Sequence, residues 1–269
     1  MVKSTARSRS FRFALSVLAF GVVAALAMPA VLEGRAVAQK KKGAKPKPAC
    51  GLRNLPLYAG ASWTYKSGVD EMKIAVDSVG PGKDADGNAA TIIKVDETYK
   101  GETNKLEWSC TDKAGLRVPP ESFFFTGEAG GLWGSSLKIT KHEDVWLHPD
   151  AEVISDSGWQ EKVKADVTRT DLGGRGAKHP EPAKIEVERY VKVDGSEQLS
   201  VPAGAWNAQK VTFELRGRAI VGDEKVEMLI DDKNPGVMYL VKDLGIIGYE
   251  DNLKTRKVWQ LSATTVPSP

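Results

Sequence analysis

Apolar and polar residues alternate along most of the chain beyond residue 60, whereas the three- and four-residue spacing of an amphipathic helix is scarce. The clearest case is Val211, Phe213 and Leu215, which alternate with polar residues as in a half-buried strand. Short polar turns join most neighbours, so the pattern predicts an antiparallel meander and a mainly β fold with little helix. The predicted strands lie within residues 61–67, 72–76, 93–99, 106–110, 159–169, 185–193, 199–215, 218–221, 226–230, 237–250 and 258–263.

Turn residues interrupt this pattern at defined points. Pro202 marks a turn or the start of a strand, and Asp194-Gly195 is a dipeptide typical of hairpins. No repeat of fixed period and no linker divides the strand-rich region. We therefore expect a single antiparallel β domain at residues 50–265, with a frayed C-terminus at residues 266–269.

Residues 1–38 differ from the rest of the chain in composition. Several basic residues precede an apolar run at residues 13–27, whose length is typical of the hydrophobic region of a signal peptide. A small-x-small sequence predicts cleavage after Ala38, and hence a location in the periplasm or outside the cell. The alternative is an uncleaved anchor, because residues 13–32 could just span a membrane if Pro29 were tolerated.

Most of the excess basic charge belongs to this leader. The chain has 38 basic and 35 acidic residues; five of the basic ones and one acidic residue lie in the leader, so the remainder carries a net charge of −1. A nearly neutral domain gives no reason to expect nucleic-acid binding.

A segment rich in lysine and proline follows the leader. Residues 39–49, which begin QKKKGAKPKP, have almost nothing to bury, and this composition predicts a disordered tether. Its lysines could touch anionic lipid, so any membrane contact is expected to be peripheral at most. A solvated spacer without lipid contact is the simpler interpretation.

The chain contains two cysteines, Cys50 and Cys110. An exported chain enters an oxidising compartment, where an even pair predicts a disulfide. Cys110 has the same strand parity as Leu106 and Trp108, which places it on the core side. A lipidated Cys50 is the alternative, although the residues before it form a poor lipidation sequence and lie far beyond the apolar run.

The strand pattern breaks at residues 117–133, where two prolines and several glycines surround four aromatic residues. Three of these are consecutive phenylalanines, which cannot all face one side of a strand. They indicate either a short edge strand with a packed loop or an apolar lip over a ligand cavity. We select Phe123, Phe125 and Trp133 from this stretch as candidate ligand-binding residues.

Trp206 and Phe213 complete the set of candidate ligand-binding residues. The two have opposite strand parity. A bulge at residues 208–210 would turn Trp206 toward the interior, and without one it lies on the opposite face. The alternative for all five aromatic side chains is that they simply fill the core.

Three short sequences resemble one known family. LPLYAGASWTY, which begins at Leu55, is similar to the family's P-x-x-x-G-x-x-W-x-Y opening. VPAGAWNAQKV, from Val201, is similar to V-P-A-G-T-F-x-A-x-K-V, and YLVKDLGIIGYE, which ends at Glu250, to W-Y-A-P-G-V-G-L-V-K-x-E. The chain thus resembles the DUF3108-like exported bacterial proteins of unknown function, which are related in fold to the lipoprotein carriers LolA and LolB. The resemblance implies an open antiparallel β half-barrel with a hydrophobic concavity and no catalytic residues.

Three further features suggest chemistry but lack the residues that it needs. The DADGN sequence at residues 84–88 is followed by Ala89 at the position where a calcium loop needs glycine, so a polar hairpin loop is expected. The Gly-rich sequence at residues 173–178 lacks the spacing of a P-loop and is expected to be a flexible loop. His142, His148 and His179 have no zinc-like spacing with a cysteine and are expected on the surface or in loops. We therefore expect no metal and no cofactor.

Carboxylates on the predicted strands are expected to alternate outward, and no Gly-x-Ser-x-Gly sequence is present, so we expect no enzyme activity. The leader, the strands and the resemblance predict an exported envelope protein whose hydrophobic concavity binds a lipid, a lipid-linked glycan or a lipoprotein. The alternatives are a module that contacts another envelope protein without a small ligand, and a hydrolase. An open cavity beneath the aromatic residues would favour lipid binding, and a filled interior would favour the interaction module.

Overall fold

The structure, a computed structural model, describes residues 47–127, 129, 135–149, 158–169, 182–221, 226–231, 235–250 and 257–266. The predicted signal peptide and most of the predicted tether lie outside these ranges, as do Trp133, His179 and the Gly-rich residues 173–178. Lys45–Pro269 forms one compact unit. Val266, in the predicted frayed terminus, is buried.

Thirteen strands form one antiparallel sheet within the described part of the chain. Helical structure there is limited to a 3-10 turn at Ala49–Gly51 and one helix, α1, at Phe123–Thr126. The predicted mainly β fold with little helix is therefore confirmed. The strands are β1 Ser62–Ser67, β2 Asp70–Lys83, β3 Ala89–Tyr99, β4 Glu102–Thr111, β5 Gly115–Arg117, β6 Ser135–Glu143, β7 Trp159–Arg169, β8 Pro182–Val201, β9 Gly204–Val221, β10 Val226–Asp231, β11 Gly236–Val241, β12 Gly245–Glu250 and β13 Val258–Thr264.

The strand order is β5-β4-β3-β2-β1-β13-β12-β11-β9-β8-β7-β6, and β10 pairs with the C-terminal part of β9. Most neighbours in the sheet are also neighbours in the sequence, which confirms the predicted meander. The pairing of β1 with β13 joins the first and last strands of the domain. The result is an open antiparallel sheet with β5 and β6 at its edges, consistent with the predicted single-domain half-barrel.

Alternate side chains build the core, as the sequence pattern predicts. Val211, Phe213 and Leu215 of β9 are at most 5% exposed, and they share the buried side of the sheet, here called the concave face. The opposite, convex face carries ion pairs such as Lys162 with Glu188, whose nitrogen and oxygen are 2.8 Å apart. Such exposed pairs contribute about 0–1 kcal/mol each. Burial of the concave face is therefore the main stabilising term.

The predicted hairpin at Asp194-Gly195 is wrong. Strand β8 continues through both residues, and the register with β9 shifts between Val193 and Ser196. Gly195 has a φ of +89°, which a bulge can require as well as a hairpin turn. The chain instead reverses after Val201, at the position where proline predicted a turn.

Two elements between residues 117 and 143 differ from the sequence prediction. Strand β6 was not predicted, because its lysines leave few apolar residues to show an alternation. The predicted edge strand at the three phenylalanines is wrong, because these residues form α1. A single helical turn leaves too short a pattern for a period to be recognised.

The two edges of the sheet meet at one point. Leu116 of β5 pairs with Cys110 of β4 on one side and bridges to Leu147, which follows β6, on the other. The Leu116 amide donates to the Leu147 carbonyl at 2.8 Å, and the Trp146 amide donates to the Leu116 carbonyl at 2.8 Å. The predicted disulfide between Cys50 and Cys110 is present and ties the N-terminal turn to β4 beside this junction.

Candidate functional site

Helix α1 occupies the concave face of the sheet. Ser122 caps the helix by accepting a hydrogen bond from the Phe124 amide at 3.3 Å, and Gly127 ends it with a φ of 72°. Successive side chains of a helix point about 100° apart. The three adjacent phenylalanine rings therefore reach different parts of the curved sheet, and all are at most 2% exposed.

Aromatic rings from five strands and one loop surround α1. Phe124 stacks on Trp146 with ring centroids 5.7 Å apart, and Phe123 meets Tyr249 and Trp259 at 5.4 Å each. Offset and tilted contacts of this kind are favourable beyond the area that they bury. We call the following set the aromatic cluster: Tyr65, Trp108, Phe123, Phe124, Phe125, Trp146, Phe213, Tyr249 and Trp259.

The polar groups of α1 are also satisfied inside the sheet. The Phe124 carbonyl accepts hydrogen bonds from Trp146 Nε1 at 3.0 Å and from the Tyr249 hydroxyl at 3.2 Å. At the other end of the helix, Glu97 of β3 accepts from the Ser122 hydroxyl and from the Phe123 amide. Because buried polar groups without partners are costly, these bonds favour the position of α1 within the concave face.

Glu97 is fully buried on the inward side of β3. Burial raises the pKa of its carboxyl to about 7; the hydrogen bonds from Ser122 and Phe123 oppose this rise, and the charge of Glu121 adds to it. The side chain that holds the start of α1 therefore changes its protonation near neutral pH.

Three charged or titratable side chains on β6, β7 and β8 form a second buried group, here called the buried ion cluster: His142, Glu161 and Arg189. Arg189 Nη1 donates to the Trp146 carbonyl at 2.8 Å and lies 3.3 Å from one carboxylate oxygen of Glu161. The other oxygen of this carboxylate lies 2.9 Å from His142 Nε2. The guanidinium also lies 4.9 Å from the Trp146 ring and 5.1 Å from the Phe213 ring. Desolvation lowers the pKa of Arg189, while the charge of Glu161 opposes this shift.

The buried ion cluster is a packing element of the described structure. The Glu161 and Arg189 side chains have no exposed surface, and both oxygens of Glu161 face a partner. The prediction that carboxylates on strands point outward is wrong for Glu97 and Glu161, and the prediction of a surface or loop position is wrong for His142, which is 6% exposed. Strand parity could have indicated the inward position of Glu161, because this residue has the same parity along its strand as the inward-facing Val163 and Ala165.

The structure brings together three of the five predicted ligand-binding residues. Phe123, Phe125 and Phe213 all belong to the aromatic cluster and are buried. Trp206, on the β8–β9 hairpin, is partly buried and packs against the same core. Trp133 lies outside the described residues.

The question of which face Trp206 occupies is resolved by the register of β8 and β9. Ala208 and Val211 are both fully buried, so the inward parity of β9 changes between them. This change lies opposite the bulge at residues 194–195 of β8. Trp206 has the parity of Ala208, and the bulge therefore turns it toward the core rather than toward the convex face.

A cleft of about 290 Å³ lies between the β4–β5 edge of the sheet and β6, and we call it the seam. Trp108, Val118 and Ile139 provide apolar lining, and Arg117 and His142 provide polar lining. Arg117 Nη2 reaches across the seam to the His142 carbonyl at 3.5 Å.

The DADGN sequence forms the loop between β2 and β3, as predicted. One oxygen of Asp84 accepts from the amides of Asp86 and Asn88, and Arg117 Nη1 lies 2.6 Å from Asp86 and 3.2 Å from the other Asp84 oxygen. The Arg117 guanidinium thus pairs with the two carboxylates that a calcium ion would need as ligands. Across the described ranges, no group of three or more His, Cys, Asp or Glu side chains could hold a metal ion. No helix in the same residues is long and apolar enough to cross a membrane.

No family model matches the chain, and no curated protein matches it. The DUF3108-like resemblance therefore stays a prediction. One similar solved structure is a protein from Parabacteroides distasonis described provisionally as a lipoprotein; it has 13% identity and a TM-score of 0.46, with 80% of this chain and 99% of that chain covered. Another is a protein from Bacteroides fragilis described provisionally as an exported protein with a YmcC-like fold; it has 13% identity and a TM-score of 0.42, with 78% and 98% covered.

Proposed function

We propose that this chain is an exported, non-enzymatic protein of the cell envelope that acts by binding another protein, without a small ligand in its concave face. The observation that carries the proposal is the position of α1. Its three phenylalanines fill the space in which a half-barrel of this kind would hold a lipid. The leader at residues 1–38 supports export.

The contacts of α1 make its removal costly. A lipid could enter the concave face only if three buried phenylalanine rings moved into water, at about 1.5–3 kcal/mol for each side chain. The same movement would break the hydrogen bonds that the Phe124 carbonyl accepts from Trp146 and Tyr249. These terms favour a closed interior in the absence of a compensating ligand.

Lipid binding is the second candidate, and the chemistry of the aromatic cluster favours it. The rings around α1 would form a wide apolar lining if α1 left, and such linings suit lipids. Burial raises the pKa of Glu97, which accepts hydrogen bonds from the start of α1, to about 7, so loss of the proton above that pH leaves a buried charge that disfavours the packed position of α1. This candidate therefore requires a structural change that the proposed function does not.

Mass spectrometry of organic extracts distinguishes the two candidates. We expect protein purified from its native envelope to carry no lipid and to take up no fluorescent fatty acid. Chemical cross-linking in intact cells should join the chain to a discrete envelope protein. Recovery of about one lipid per chain, without any protein adduct, would contradict the proposed function and support the second candidate.

A further inference from the structure

We propose that the seam binds one extended peptide segment of a partner protein, which adds a strand between β4 and β6. This inference deepens the proposed function and rests on it, because it names the surface and the backbone chemistry by which the partner is held. Addition of a strand to an exposed sheet edge is a general mode of peptide recognition, in which main-chain hydrogen bonds give affinity and alternate side chains give specificity.

At its Leu116 end, the seam has the width of one strand. Leu116 pairs in register with Cys110 of β4 on one side and exchanges backbone hydrogen bonds with residues 146 and 147 on the other, so β5 itself fills the space between the two edges at that level. Adjacent strands lie about 4.8 Å apart, which sets a separation of about 10 Å between the edges. Arg117, the last residue of β5, still reaches the backbone of β6 through its side chain.

The chain vacates this strand position after Arg117. Proline follows at positions 119 and 120, where it cannot donate to a ladder, and the chain then turns into α1. Residues 102–108 of β4 have a strand partner only in β3, and β6 has one only in β7, within the described part of the structure. Both strands therefore present a row of backbone donors and acceptors on the side of the seam.

The side chains of the seam indicate what an inserted segment would carry. Ile139 lines the seam with partly exposed apolar surface, and Trp108 and Val118 are buried behind it, so the residues of the segment that face the concave side should be aliphatic or aromatic. The indole N–H of Trp108 is buried and has no acceptor among the described residues. In the proposed complex a carbonyl of the inserted segment accepts from this N–H, so the segment satisfies a buried donor.

The test uses a random ten-residue peptide library displayed on phage, selected against the mature full-length chain. We expect enriched peptides with apolar residues at alternate positions and without proline at their centre. A synthetic copy should slow hydrogen exchange of those backbone amides at residues 137–140 of β6 that face the seam. Seam-facing amides of β6 that are already protected in the free protein, or that show no added protection with bound peptide, would overturn the proposal.

Two proline variants provide matched controls. Neighbouring residues of a strand direct their amides to opposite edges, so one of Leu137 and Lys138 donates to β7 and the other faces the seam. We expect one of Leu137→Pro and Lys138→Pro to keep the wild-type melting temperature and to bind the peptide at least tenfold more weakly. If the variant that keeps its fold binds peptide like wild type, the seam is not the site; hydrogen exchange decides the matter if both variants unfold.

Cross-linking in cells separates this inference from the proposed function. If the fold-preserving proline variant still cross-links to the envelope partner as wild type does, the seam proposal fails and the proposed function stands. If wild-type chain cross-links to no protein, the proposed function fails.

Discussion

Glu97 shows how a single buried residue can set the pH response of this fold. It is fully buried, and its pKa is raised from 4.5 to about 7 mainly by desolvation. Between these two values the folded chain holds a proton that the unfolded chain has lost, so stability falls as the pH rises. The contribution is fully present below pH 4.5 and is lost as the pH passes 7.

Glu97→Gln should remove this pH dependence. A shift from 4.5 to about 7 corresponds to about 3 kcal/mol, so the variant should be more stable than wild type by an amount of this order at pH 8. At pH 4 the carboxyl is protonated in both states, and the two proteins should be nearly equal. Urea unfolding at pH 4, 6 and 8 measures this difference, and an equal fall in stability for both proteins would contradict the assignment.

Arg189→Met should destabilise the fold strongly, because it leaves Glu161 buried without its guanidinium partner. Removal of one partner of a buried pair costs about 3–5 kcal/mol. The matched control is Arg216→Met on the convex face, where 59% of the side chain is exposed and the change should stay within about 0.5 kcal/mol. Denaturant unfolding compares the two variants, and equal losses would show that the buried ion cluster has no special role.

At the scale of elements, α1 contacts more strands of the sheet than its four residues suggest. Phe124 alone contacts rings from β1, β4 and β12 and from the loop after β6. The helix therefore joins strands that are distant in the sheet order. Its backbone is held at both ends, by Glu97 and by the donors from Trp146 and Tyr249.

Phe124→Ala should lower the free energy of unfolding by about 3–5 kcal/mol, the range for aromatic side chains removed from a packed core. Val69→Ala is the control, because Val69 is fully exposed in the turn after β1 and its truncation should change little. Urea titrations of both variants provide the comparison. A loss below about 1 kcal/mol for Phe124→Ala would indicate that α1 is loosely held.

Sequence patterns predicted the strands in which apolar and polar residues alternate, and missed the elements that are too short or too polar to show a period. The alternation in β9 and the parity of Trp108 and Cys110 placed these side chains in the core, as observed. Helix α1 could not be recognised, because one turn has no period and its packing comes from strands far away in the sequence. Glu161 has the inward parity of its strand, but its carboxylate was expected to point outward, since charge alone does not reveal a buried partner such as Arg189.

At the scale of the whole molecule, the bridge from Leu116 to Leu147 joins the two edges of the sheet, and the disulfide ties the N-terminal turn to β4 beside it. Cys50 and Cys110 close a loop with a sequence separation of 60 beside the bridge from Leu116 to Leu147. The double variant Cys50→Ser/Cys110→Ser should lose about 2–5 kcal/mol of stability. Denaturant unfolding of the oxidised wild type and the variant tests this, and non-reducing peptide mapping should recover the linked pair; two free thiols would refute the disulfide.

The central claim is that the chain's own aromatic residues fill the concave face, and that they stay there in solution. Nuclear Overhauser contacts between the Phe124 and Trp146 rings report this directly, because the two ring centroids are 5.7 Å apart. We predict that these contacts are present in the free protein and remain when a fatty acid is added in excess. Their loss on addition of the fatty acid, with new contacts from lipid protons to Trp146, would contradict the claim.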